Sequence, residues 1–153
     1  MKLSSRARYA LRAMMVVAQE GKDATPVNLG VVSERTSISR RYLEQVAISL
    51  KNAHLLRAIS GKNGGHLLTR PADKILLGEI VEAAIGPINI VECVGDPESC
   101  MVLEGCDCRS LYVLINQQIR GAFNKFTLAD LANHQMAKAV AKELSVIEAG
   151  SQH

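Results

Sequence analysis

The chain has no tryptophan, and only three tyrosines and two phenylalanines among 153 residues. β-Sandwiches and barrels lean on aromatic and β-branched runs, so this scarcity turns the expectation towards helices. No stretch approaches about eighteen uninterrupted apolar residues, which argues against a transmembrane helix. The opening Met1-Lys2-Leu3-Ser4-Ser5-Arg6 lacks the apolar core and small-residue cleavage site of a signal peptide. The reading is a cytoplasmic protein with no membrane partner. Nucleophile–base pairs, phosphate loops and metal-hydrolase motifs are also missing, so the chain is not expected to be an enzyme. There are no internal repeats and no low-complexity tract. What remains is ample for a core: 48% of residues are hydrophobic and 22% charged, which excludes wholesale disorder.

The net charge is only +3, but it is divided unevenly. Residues 1–71 hold 12 Lys and Arg against 4 Asp and Glu, whereas residues 72–153 hold 6 against 11. A basic half joined to an acidic half suggests a nucleic-acid-facing module with a regulatory or oligomerisation module behind it.

Apolar residues at helical spacing (Ala7, Ala10, Leu11, Met14, Val17, Ala18) predict a first helix, capped by Ser4 or Ser5 and ended by Gly21. Asn28 caps a short segment to about Arg35, and Thr36-Ser37-Ile38 forms a tight connection. Ser39 caps a helix to about Asn52 with Leu43, Val46, Ala47 and Leu50 on one face. This is a helix-turn-helix layout, in which the second helix reads the major groove from its N-terminal residues. Ser39, Arg40, Arg41, Tyr42 and Glu44 are its candidate DNA contacts. The strands around Leu55–Ser60 and His66–Thr69 flank Gly61-Lys62-Asn63-Gly64-Gly65 and predict a wing, with Lys62 and Asn63 at its tip. A helix is expected from Ile75 to Ile85. Leu111 to Ala122 predicts a long amphipathic helix, and Thr127 with Asp130 starts another whose stripe runs to Ile147. The two carboxy-terminal helices are expected to pair with a second copy. His54 is expected in a left-handed conformation just past a helix end.

All four cysteines fall within sixteen residues: Cys93, Cys100, Cys106 and Cys108. In a cytosolic protein such clustering favours a metal, an iron–sulfur cluster or a redox switch over structural disulfides. Zinc usually takes paired Cys-x-x-Cys knuckles, which are absent. Thiolates spread over a loop of roughly twenty residues suit an iron–sulfur cluster. Nearby Glu92, Asp96, Glu98, Glu104 and Asp107 would favour its oxidised form.

Several of these segments together resemble the Rrf2 family of bacterial winged-helix regulators. They are the opening Met1 to Ala13, Ser39-Arg40-Arg41-Tyr42-Leu43-Glu44-Gln45, Gly61 to Gly65, Leu77-Gly78-Glu79-Ile80-Val81, the cysteine loop, and Phe126-Thr127-Leu128-Ala129-Asp130-Leu131. The match runs from Met1 to about Asn133. It implies a homodimer on a palindromic double-stranded promoter site, with one cluster per subunit held by Cys93, Cys100 and Cys106. A two-iron cluster is expected ahead of a four-iron one. It also implies base contacts from Ser39, Arg41, Tyr42 and Glu44, a wing in the minor groove, and dimerisation through the Leu111–Phe123 helix. Four positions depart from the family pattern. Arg109 stands where some members place a histidine ligand. Arg8 and Arg12 occupy positions from which others supply a ligand across the dimer. Ser60 stands where an arginine often precedes the wing. Cys108 is then the leading candidate for fourth ligand.

The expected fold is mainly α with a small β-hairpin wing: a winged helix-turn-helix plus a long dimerisation helix. The expected division is a DNA-binding domain (1–71), a linking helix and cysteine-rich sensor loop (72–108), and dimerisation helices with a tail (109–153). The function expected is a transcriptional regulator whose promoter affinity follows its cluster, with cluster status, nitric oxide or redox state as the signal. A cofactor-free thiol switch of the same fold is the alternative, and a small electron-transfer protein that does not bind DNA a third reading.

Overall fold

The computed structural model describes residues 2–99 and 106–150. Helix α1 (Ser5–Glu20) is capped by Ser4, whose hydroxyl accepts from the Ala7 amide at 3.1 Å. It buries Ala7, Ala10, Ala13, Met14, Val16 and Val17, so small residues let neighbouring helices approach closely. Helix α2 (Leu29–Thr36) is capped by Asn28 and α3 (Arg40–Asn52) by Ser39. Between them Ser37 turns the chain at φ 56°, and Ile38 is pushed into the core. The four residues expected on the buried face of α3 (Leu43, Val46, Ala47, Leu50) are its buried residues. At its end His54 takes φ 55°, and the Leu55 amide reaches back to the Leu50 carbonyl at 2.9 Å.

Strands β1 (Leu56–Ile59) and β2 (Gly65–Leu68) form the antiparallel hairpin, pairing Leu56 with Leu68 and Ile59 with Gly65. Two glycines make it possible. Gly61 sits at φ 110°, and a Cβ on Gly65 would lie 2.5 Å from the Val27 carbonyl carbon. That close approach belongs to a short bridge: Val27 and His66 exchange two backbone hydrogen bonds of 2.9 and 2.8 Å. The wing is thereby tied to the segment that leads into α2.

Helix α4 (Leu77–Ile85) buries Leu77, Gly78, Ile80, Val81 and Ala84. Glu79 accepts from the Leu76 amide at 2.8 Å and pairs with Arg70, which fixes α4 to the exit of the wing. The core of the first half is completed from far along the chain. Helix α7 (Leu128–Ala132) is held by bonds from Leu128 N to Ile75 O (2.8 Å) and from Leu77 N to Phe126 O (3.0 Å). Leu128 is fully buried with Met14, Leu43, Leu50, Leu55, Ile75 and Ile80. Gln19 of α1 donates to the Ala132 carbonyl at 2.9 Å.

Among its described residues, the segment after α4 holds a short helix, α5 (Glu92–Gly95), and a 3-10 turn at Pro97–Ser99. Helix α6 (Asp107–Asn124) begins four residues before the apolar stripe that predicted it at Leu111. The stripe expected to run unbroken from Thr127 is divided. Thr127 and Asp130 form the expected capping box, but α7 stops at Ala132, His134 takes φ 57°, and α8 (Met136–Gly150) starts anew. The left-handed residue redirects the chain, so one periodic pattern serves two helices. Among the described residues no helix is long and apolar enough to cross a membrane.

Candidate nucleic-acid interface and thiol site

The outer face of α3 breaks a rule of helix electrostatics. Its first turn holds Arg40 and Arg41 and no acid. Cations there oppose the positive end of the helix dipole, typically at a cost of about 0.3–1 kcal/mol each. An anion placed against this turn would reverse the sign of the effect. Arg40 is 70% exposed and its Nε lies 3.6 Å from Glu44, itself 53% exposed. An exposed i,i+4 pair is worth only about 0.3–0.5 kcal/mol, so either side chain is easily released to another partner.

The other predicted contacts are placed as follows. Ser39 uses its hydroxyl as the cap of α3, accepting from the Tyr42 amide at 3.3 Å. Arg41 is exposed beside it. Tyr42 is half-buried, with its ring edge-on to Tyr9 (centroids 5.3 Å, planes at 85°). That contact anchors the first turn of α3 to α1. Arg6 adds a second tie by donating to Ser49 Oγ at 2.7 Å. Lys62 and Asn63 are exposed at the tip of the wing.

Between α3 and the wing runs a groove of about 460 Å³. Arg40, Glu44, Ile48 and Lys51 form one wall and Ala58, Ile59, Gly61 and Gly64 the other, with His66 at the wing's base. The His66 imidazole is held below its ordinary pKa, first by burial and then by the charge of Lys51, against a hydrogen bond to the Val27 backbone. Its Nδ1 finds no hydrogen-bond partner among the described residues. Ile48, 47% exposed, did not emerge from the sequence as a candidate. The signal was available: it is an aliphatic residue lying off the apolar stripe of α3.

The thiols occupy the two sides of a junction. Cys93 is half-buried on α5, Cys106 is half-buried at the N-cap of α6, and Cys108 is exposed in its first turn. Cys100 lies outside the described residues. Arg109 Nε donates to the Cys93 carbonyl at 3.3 Å and so draws α5 to the start of α6. Two turns further along α6, the buried Asn116 accepts from the Ile90 amide at 3.0 Å. This buried amide also escaped the sequence, where polar residues are expected to face water. Among the described residues no three His, Cys, Asp or Glu side chains are gathered as a metal site. The donor chemistry fits an iron–sulfur cluster: three thiols here are free of disulfides, and the N-terminus of α6 favours the negative charge of a thiolate-bound cluster.

Comparison with known proteins places the chain among transcriptional regulators. A family model described as "Rrf2: Iron-dependent Transcriptional regulator" matches residues 3–134. The HTH-type transcriptional regulator IscR of Serratia proteamaculans is 36% identical over 141 residues, covering 92% of this chain and 85% of that protein. Among solved structures, CymR (YrzC), the global cysteine regulator of B. subtilis, matches with a TM-score of 0.72 and 31% identity, over 88% of this chain and 98% of its own. IscR of T. potens matches with a TM-score of 0.71 and 25% identity, over 88% of both chains. These relatives are named as regulators, not as enzymes.

Proposed function

The chain belongs to the Rrf2 family of transcriptional regulators, and from that premise we propose that it is a homodimer whose affinity for a palindromic promoter site is controlled by an iron–sulfur cluster. The observation that carries the DNA-binding part is the first turn of α3. Two exposed arginines stand there against the helix dipole, in the position where a recognition helix meets a duplex. Arg40, Arg41 and Glu44 address the major groove. Ser39 and Tyr42 fix the start of α3, and Lys62 and Asn63 reach the backbone or the minor groove from the wing.

Cys93, Cys100 and Cys106 would hold the cluster, with Cys108 as the candidate fourth thiolate. When bound, the cluster supplies reversible electron transfer and a site of attack for oxygen or nitric oxide. The protein's own part is mechanical. The segment 86–106 joins α4, which packs in the DNA-binding core, to α6, whose Leu111 and Leu114 expose apolar surface suited to a second copy. A change in the order of that segment shifts α6 against α4, and with it the separation of two recognition helices in a dimer. A small change in half-site separation is enough to alter affinity.

The test is iron, acid-labile sulfide and visible absorbance of protein purified without oxygen, together with binding to a site selected from random duplexes. Coloured protein with matching iron and sulfide, lost in Cys93→Ala and Cys106→Ala, is the expected result. Salt-sensitive binding that changes when the cluster is removed completes it. Protein that stays colourless after reconstitution would overturn the cluster and leave a thiol switch. Failure to select any duplex would overturn the DNA-binding reading.

A further inference from the structure

We propose that Ile48 is a specificity-determining residue that reads the 5-methyl group of a thymine in the operator, an inference resting on the DNA-binding reading above. The outward face of α3 is polar and charged through Arg41, Glu44 and Gln45. Ile48 lies on the same face, one turn beyond Glu44, and is the one large aliphatic side chain of α3 left exposed, at 47%. The buried stripe of α3 is complete without it. Nor does the wing cover it: Ile48 opens into the groove between α3 and the hairpin.

The chemistry of a duplex narrows what such a group can meet there. Nearly every group that base edges show in the major groove is a hydrogen-bond donor or acceptor. An isoleucine can satisfy neither, and would strip water from either one. The thymine methyl is the apolar exception, and contact between it and an apolar side chain is favourable. Spacing supports the assignment. Four helical residues rise about 6 Å, close to two base-pair steps of about 3.4 Å each. Glu44 and Ile48 therefore address positions about two steps apart. Glu44 is suited to a cytosine amino group. The operator half-site should hold a methyl-bearing thymine within about two base pairs of that cytosine.

The experiment uses the full chain and the duplex it selects from a random pool. Each thymine of one half-site is replaced in turn by deoxyuridine, which removes the methyl group and keeps the pairing. Affinity is read by fluorescence anisotropy at fixed salt. At one position the replacement should weaken binding about fourfold, the value of one buried methyl-sized group. In Ile48→Ala the same replacement should change nothing, because the contact is already gone. Equal sensitivity to deoxyuridine in both proteins, or none at any position in the unaltered protein, overturns the role of Ile48 while leaving DNA binding intact. A chain that selects no duplex overturns the underlying reading instead. Since Ile48 lies outside the buried stripe of α3, Ile48→Ala should retain the helical circular dichroism of the unaltered chain.

Discussion

Leu128→Ala should destabilise the DNA-binding half of the molecule, although Leu128 lies far beyond the wing in sequence. Leu128 is wholly buried among side chains of α1, α3 and α4. The substitution removes three carbon atoms from that site, worth about 2.4 kcal/mol by transfer at roughly 0.8 kcal/mol each. A cavity adds to this when the surroundings cannot relax, and measured Leu→Ala costs reach about 5 kcal/mol. Relaxation is restricted here. The backbone on either side of Leu128 is pinned by the bonds from Leu128 N to Ile75 O and from Leu77 N to Phe126 O. We therefore expect about 4 kcal/mol. The assay is urea unfolding followed by far-ultraviolet circular dichroism, since the chain has no tryptophan to report by fluorescence. Protein concentration must be fixed, because the stability of the proposed dimer would depend on it. One cooperative transition at a lower midpoint with an unchanged slope is the expected result. A loss below about 1 kcal/mol, or a separate early transition with the remainder unaffected, would refute the idea that α7 completes this core.

Gly65→Ala should cost about 1–3 kcal/mol, since its Cβ would meet the Val27 backbone at 2.5 Å and no side chain can move aside; the urea midpoint should fall, and operator affinity with it as the wing is displaced. Stability should decline on acidification through His66. Its folded-state pKa lies below 6.5, so the unfolded chain takes up the proton first, and stability present above that value is lost as the pH falls through the folded value. The melting temperature of His66→Gln between about pH 7.5 and 5.5 should accordingly vary less than that of the unaltered chain. Lys62→Ala at the exposed wing tip should reduce the slope of log affinity against log salt by about 0.9 if it meets one phosphate, and an unchanged slope removes that contact.

Much of the helical framework was legible because its signals are local. The caps Ser4, Asn28, Ser39 and Thr127 all accept from the amide three residues on, and His54 takes the left-handed turn expected of it. Each is a decision made within a few residues. What escaped was non-local or ran against pattern. The pairing of Val27 with His66, and of Ile75 with Leu128, joins residues that no periodicity links. Helix α6 starts with Asp107, Cys108, Arg109 and Ser110, which carry no apolar stripe, so its first turn was not seen. The stripe after Thr127 concealed the break at His134, because the spacing of apolar residues does not record a left-handed φ. On the outer face of α3, charge marks Arg40 and Arg41, whereas Ile48 is apolar and carries no such signal. Tyr42 drew attention as a polar aromatic at a helix start, and its ring contact with Tyr9 depends on a neighbour 33 positions earlier.

The bond from Gln19 to the carbonyl of Ala132, a separation of 113 residues, also governs the order in which the protein can be finished. Synthesis proceeds at about 5–20 residues per second, so α1 emerges several seconds before α7 is made. During that interval α1, α3 and α4 stand with part of their apolar surface uncovered. The cysteine segment, being encoded between them, is made before α7 can complete that core. A truncated product ending at the wing would lack Leu128 and leave that apolar surface open to aggregation.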